Sequence, residues 1–123
     1  MADRGMVLFA HGARDVRWAE PFERLRARIE VRRPDLAVAL AYLEHMEPDL
    51  ALAVRALADR GVRRVRVVPL FFGRGGHLRD DFPRHVARAQ EAAPEVAIEV
   101  APAAGEDPSV IEALADFALA DMA

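Results

Sequence analysis

Apolar positions along this chain fall into two rhythms that alternate four times. Residues 7–10 form a short apolar run closed by His11-Gly12, which predicts a strand. Trp18, Phe22, Leu25 and Ile29 then recur at helical spacing, with Pro21 in the first turn and Arg32-Arg33 near the end. Pro34-Asp35 breaks that helix. Residues 37–43 are almost continuously apolar, the pattern of a strand covered on both faces. Asp49 is placed to cap a second helix, whose stripe of Leu50, Val54 and Leu57 ends at Gly61. A third strand spans 65–70, with Pro69 near its end, where a missing N–H is tolerated. Residues 71–77 predict a loop, and Asp80 or Asp81 would cap a helix carrying Phe82, Val86 and Ala89 that stops at Pro94. Val96, Ile98 and Val100 alternate with Ala97 and Glu99, as in a half-exposed edge strand. The closing helix begins near Pro108 and is predicted to bury Val110, Ile111, Leu114 and Phe117.

Four consecutive strand–helix units imply parallel strands joined by right-handed crossovers. The predicted fold class is α/β: an open four-stranded parallel sheet, order 2-1-3-4, with helices on both faces. An α+β sandwich would leave the strict alternation unexplained. With 123 residues, one domain over 1–123 is the expectation. Of the apolar 53%, 25 residues are Ala, which leaves larger side chains for one core and too few for two.

Composition removes several chemistries. All 17 basic residues are Arg, so Schiff-base lysines and Walker-A lysines are excluded. The absence of Cys excludes disulfides, thiolate metal sites, thiol nucleophiles and iron–sulfur clusters. Any metal site must therefore use carboxylates and the four His. A net charge of −3 argues against nucleic-acid binding, which calls for a basic field. The apolar run at 6–10 is too short for a signal-peptide core or a bilayer span, so no membrane role and a cytoplasmic location are expected.

Open parallel sheets bind ligands beyond the carboxyl ends of their strands. His11 follows the first strand, Glu44 the second, and His77 lies in the glycine-rich loop after the third, at equal intervals of 33 residues. All three should project from one edge of the sheet. Two imidazoles and a carboxylate suit a divalent first-row metal with positions left open for substrate. Each has a plainer reading: His11-Gly12 as a strand-ending turn, Glu44 as a solvated residue with Glu47 as competitor, His77 as a helix cap. Three coincidences at one edge are harder to accept than any one of them. His45 is expected to point away from Glu44, and His85 lies within a helix; both are left out of the site.

The Gly73–Gly76 stretch allows close backbone approach to a ligand, and Gly75 and Gly76 lead directly into His77. It is neither a P-loop nor a dinucleotide fingerprint, so no nucleotide or redox cofactor is expected. Arg14 and Arg17 after the first strand, and Arg74 and Arg79 around the glycines, would favour a substrate with several carboxylates or phosphates. Arg63, Arg64 and Arg66 belong to the opposite edge and receive no catalytic role.

These residues also carry a family resemblance. Residues 7–15, VLFAHGARD, resemble the HGSRD opening of the class II metal chelatases of cobalamin and siroheme synthesis. Tyr42-Leu43-Glu44 with Glu47-Pro48 resembles their FLE…EP segment, and Val67–Phe72 with Gly75-Gly76-His77 resembles VVPLFL…GGH, followed by Asp81. The match runs over nearly the whole chain and is best for the short sirohydrochlorin cobaltochelatases. It implies a chelatase-like, flavodoxin-like fold, a lyase activity, metal ligation by His11, Glu44 and His77, and sirohydrochlorin, a tetrapyrrole with eight carboxylates, as substrate. It implies Co2+ as the ion inserted, with Fe2+ or Ni2+ as alternatives, and a homodimer. Ala13 stands where the family usually has Ser, and Arg74 where it usually has a small residue. Other readings remain open: a siroheme-pathway ferrochelatase, a metal or tetrapyrrole carrier without catalysis, and a flavodoxin-like interaction domain with incidental histidines.

Overall fold

The computed structural model describes residues 3–73 and 76–122, with residues 76–80 by backbone alone. Its elements alternate as β1 (Arg4–Ala10), α1 (Glu20–Arg32), β2 (Ala37–Tyr42), α2 (Leu50–Asp59), β3 (Arg64–Pro69), α3 (Gly76–Ala92), β4 (Ala97–Val100) and α4 (Pro108–Leu119). The four strands are parallel and ordered β2-β1-β3-β4, as the sequence pattern predicts.

Local chemistry sets the boundaries. The Asp49 carboxylate accepts the Leu52 N–H at 2.8 Å and starts α2, while Gly61, at φ 96°, ends it. Pro69 is the last residue of β3, and pairing continues past it through the Leu70 N–H to the Phe9 carbonyl at 2.8 Å. Asp15 caps a single 3-10 turn, Val16–Ala19, that leads into α1.

Two apolar layers hold the sheet. On one face Val7, Phe9, Val65 and Val67 lie under Leu50, Val54 and Leu57 of α2 and Phe82 and Ala89 of α3. On the other, Leu8, Val38, Leu40 and Tyr42 lie under Trp18, Phe22 and Ile29. Each fully buried side chain of this size contributes about 1.5–3 kcal/mol. β2 is covered on both faces, in line with its continuous apolar run.

Four expectations need correction. The loop predicted over 71–77 is shorter, because α3 begins at Gly76. Pro83 favours a helix start near Asp80 or Asp81, but the helix runs through it and places both aspartates inside. Leu25 is exposed although it shares the spacing of Trp18 and Phe22. Finally, α4 does not bury its apolar stripe: Ile111, Leu114 and Phe117 are all exposed, because the helix rests mainly on the turn Ala104–Glu106 rather than on the sheet. No helix among the described residues is long and apolar enough to cross a membrane.

Candidate functional site

β1 and β2 end in register, Ala10 opposite Tyr42, and their pairing continues into the loops. The Leu43 N–H donates to the Ala10 carbonyl at 2.9 Å and the Glu44 N–H to the His11 carbonyl at 3.1 Å. Gly12 makes this approach possible. It adopts φ 93°, and a Cβ there would sit 1.9 Å from the Glu44 carbonyl oxygen. A glycine after His11 is therefore a geometric requirement for bringing Glu44 alongside.

The result is a pair of donors at the carboxyl edge of the sheet. His11 Nε2 lies 3.3 Å from Glu44 Oε1, with the side chains 56% and 52% exposed. Two donor atoms each about 2.0–2.2 Å from one ion are separated by roughly 3–3.5 Å, so this spacing suits a shared divalent metal. The imidazole is backed from within. Phe71 meets it edge-on at 6.2 Å between ring centres and meets Phe9 edge-on at 5.9 Å, tying the His11 ring to the core.

His45 also faces Glu44, with its Nε2 3.8 Å from the same Oε1. Sequence reasoning placed it elsewhere, because neighbours in an extended segment point to opposite sides. The chain is not extended at this point: His45 has φ 67°, which turns its ring back toward Glu44. Nothing in a single sequence marks a histidine as left-handed. His85 lies within a helix, α3, as expected, its ring 5.8 Å from Phe9. Desolvation, and secondarily Arg88, lower its pKa, with Asp81 and Asp49 opposing.

His77 falls in the first turn of α3, on the segment that leaves the same edge after β3; its side chain lies outside the described residues. So do the side chain of Arg79 and all of Arg74 and Gly75, while Gly76 is described by backbone alone. Among the described residues no group of three His, Asp or Glu side chains is arranged to hold an ion. Arg17, expected at the substrate, is engaged by Asp15 through contacts of 3.0, 3.2 and 2.7 Å. That pairing is the main reason the Asp15 carboxyl is held below its usual range. Arg14 is exposed beside it. A cavity of about 330 Å³ lies at the other end of the strands, lined by Arg4, Arg33, Arg64, Arg66 and Glu99, well away from His11 and Glu44.

The sequence profile of the CbiX family matches residues 5–119. The chain belongs to the CbiX family. Other CbiX-like proteins resemble it at several levels. A sirohydrochlorin cobaltochelatase of Sulfolobus acidocaldarius is 28% identical over 114 residues, covering 93% of this chain and 89% of that relative. One from Methanocaldococcus jannaschii is 32% identical over 79 residues, 64% of this chain and 55% of the relative. The crystal structure of a CbiX protein from Marinobacter aquaeolei superposes with a TM-score of 0.82 at 35% identity, covering 94% and 93% of the two chains. The sirohydrochlorin chelatase SirB of Bacillus subtilis subspecies spizizenii, solved in complex with cobalt, shares the fold with a TM-score of 0.78 at 23% identity. This CbiX chain spans 49% of SirB.

Proposed function

We propose that this protein inserts a divalent metal ion into sirohydrochlorin, with Co2+ as the metal. The observation that carries the reading is the 3.3 Å pairing of His11 Nε2 with Glu44 Oε1 at the open edge of a CbiX-family sheet. The cobaltochelatases among the relatives support it. Cobalt is favoured over iron or nickel by those relatives alone, since imidazole and carboxylate suit all three.

In this reading His11, Glu44 and His77 hold the ion and leave one side of it free. The macrocycle docks over that side, with its carboxylates reaching Arg14, Arg17, Arg74 and Arg79 and its rim against Gly75 and Gly76. Arg17 would exchange its Asp15 pairing for a substrate carboxylate. Two pyrrolic protons leave as the metal enters, so charge balances without a redox cofactor or nucleotide. Glu44 and the imidazoles are the acceptors within reach. One domain of this length has a radius of gyration near ~14 Å. That is too small to enclose a broad macrocycle, so the working unit is a homodimer.

The test is cobalt insertion followed by the absorbance of sirohydrochlorin. His11→Ala and His77→Ala should each abolish insertion while leaving the far-UV dichroism unchanged, since the His11 side chain is half exposed and meets the core through its edge contact with Phe71. Wild-type insertion by either variant would overturn its assignment as a ligand. Binding of Co2+ and of sirohydrochlorin without any turnover by the wild type would favour the carrier reading.

A further inference from the structure

Arg64 and Arg66, which the metal chemistry does not use, stand at the amino-terminal end of β3 with a third arginine beside them. Arg4 pairs with Arg64 across β1 and β3, Met6 with Arg66, and Leu8 with Val68. Paired residues of parallel neighbours share a face, so the three arginines lie on the face of Leu8 and Val68 that α1 covers. α1 packs on β2 and β1, while α4 rests mainly on the turn Ala104–Glu106. Arg64, Arg66, Ala97 and Glu99 are consequently exposed, and the cavity of about 330 Å³ lies there.

Four guanidiniums line this cavity, from Arg4, Arg33, Arg64 and Arg66, with one carboxylate, Glu99. Pairing within the chain accounts for two of them. Arg33 forks onto Asp35, Nε to Oδ1 at 2.8 Å and Nη2 to Oδ2 at 2.6 Å. Arg66 Nη1 donates to Glu99 Oε1 at 3.1 Å. Among the described residues the Arg4 and Arg64 side chains have no hydrogen bond or ion pair. Arg4 acts on Asp35 through its field alone: that carboxyl is held at about 2 first by the Arg33 hydrogen bond and last by Arg4.

Arginines often stand at this edge of an α/β sheet because helices end there, and a cation offsets the negative end of the helix dipole. Arg63 fits that account, its Nη1 donating to the Ala58 carbonyl near the end of α2 at 2.9 Å. Arg4 and Arg64 do not, because they are strand residues directly opposite each other. Neighbouring strands run about 4.8 Å apart. Like charges facing across such a gap weaken a sheet. An anion held between them turns that repulsion into attraction.

We propose that the cavity binds a small phosphomonoester, its phosphate bridging Arg4 and Arg64 and its organic part lying against Met6, Leu36 and Ala97. A phosphomonoester carries a charge of about −1.5 to −2 near neutral pH, which matches two unopposed guanidiniums. A single carboxylate would leave one of them unmatched. The free phosphate oxygens accept from both planar forks at once. The cavity lies at the lower end of the about 300–1,000 Å³ typical of ligand pockets, so the ligand is a small molecule. β1 rises roughly 20 Å from Arg4 to Ala10, so this site is separate from the His11–Glu44 edge and independent of the metal chemistry.

Calorimetric titration with phenyl phosphate at neutral pH and low salt tests the proposal, with inorganic phosphate and benzoate as comparison probes. Phenyl phosphate should bind one molecule per chain, more tightly than inorganic phosphate, which lacks the organic part, and than benzoate, which lacks the second charge. Arg4→Gln and Arg64→Gln should each weaken it by on the order of 10- to 100-fold, the loss of a charge-assisted partner. Arg24→Gln, which removes an arginine paired with Glu20 on α1, should bind like the wild type. Thermal melting supplies a second readout. Ligand-free Arg64→Gln should melt at or above the wild-type temperature, because the facing charges are relieved, and should lose the upward shift that phenyl phosphate gives the wild type. Absence of saturable binding by the wild type overturns the proposal. So does equal weakening in Arg24→Gln, or benzoate binding as tightly as phenyl phosphate. If Arg64→Gln melts below the wild type yet binds phenyl phosphate equally well, Arg64 serves the fold and the proposal fails.

Discussion

Replacing Gly12 with alanine isolates the geometry on which the donor pair depends. At φ 93° an L-residue costs about 1–2 kcal/mol in backbone strain alone. The new Cβ would also start 1.9 Å from the Glu44 carbonyl oxygen, where 3.0 Å is the closest approach real structures tolerate. The Glu44 backbone must therefore retreat by about 1 Å, which breaks its 3.1 Å bond to the His11 carbonyl at a further cost of about 1 kcal/mol. Gly12→Ala should destabilise the protein by about 2–4 kcal/mol in urea titrations. Because the same shift separates His11 from Glu44, calorimetric titration should show weakened Co2+ binding, and insertion should slow by on the order of 100-fold. Gly61→Ala is the control: its φ is 96°, yet nothing lies within 4 Å of its Cβ position. It should lose about 1–2 kcal/mol and bind Co2+ normally. Equal metal affinity in Gly12→Ala and Gly61→Ala would refute the argument that Gly12 sets the distance between the two donors.

Other consequences follow from the packing around the site. Phe9 is fully buried and touches Phe71, Phe82 and His85, so Phe9→Ala should cost about 3–5 kcal/mol by urea titration and weaken Co2+ binding by removing the support beneath Phe71. His85 has its pKa lowered from 6.5, chiefly by desolvation, so the unfolded chain binds more protons below that pH. Its contribution is fully present above pH 6.5 and declines as pH falls toward the folded value. The melting temperature of the wild type should therefore drop more steeply below 6.5 than that of His85→Phe. His45→Ala should weaken Co2+ binding less than His11→Ala, because its nitrogen stands 3.8 Å from Glu44 rather than 3.3 Å.

The strand order and the shared edge of His11 and Glu44 were legible because both follow from periodicity and from the crossover rule. Where the reading stopped has physical reasons. Periodicity in residues 108–119 identifies an apolar face but says nothing about whether the fold covers it, and among the described residues Ile111, Leu114 and Phe117 stay exposed. The start of α3 was misplaced because Pro83 fits a first turn as well as the interior position it occupies. His45 was misdirected by a single positive φ. The arginine pattern assigns Arg17 to substrate carboxylates and misses Asp15, two residues earlier, which is positioned to engage it.

The two donors belong to neighbouring strands whose hydrogen-bond ladder runs on to Glu44 and His11. An ion held between them would act as a clasp across β1 and β2, closing the end of the sheet where the ladder gives way to loop. Metal affinity and fold stability then become linked quantities, with stability rising as RT ln(1 + [L]/Kd). The melting temperature, followed against free cobalt, would report ligation by His11 and Glu44 with no tetrapyrrole present.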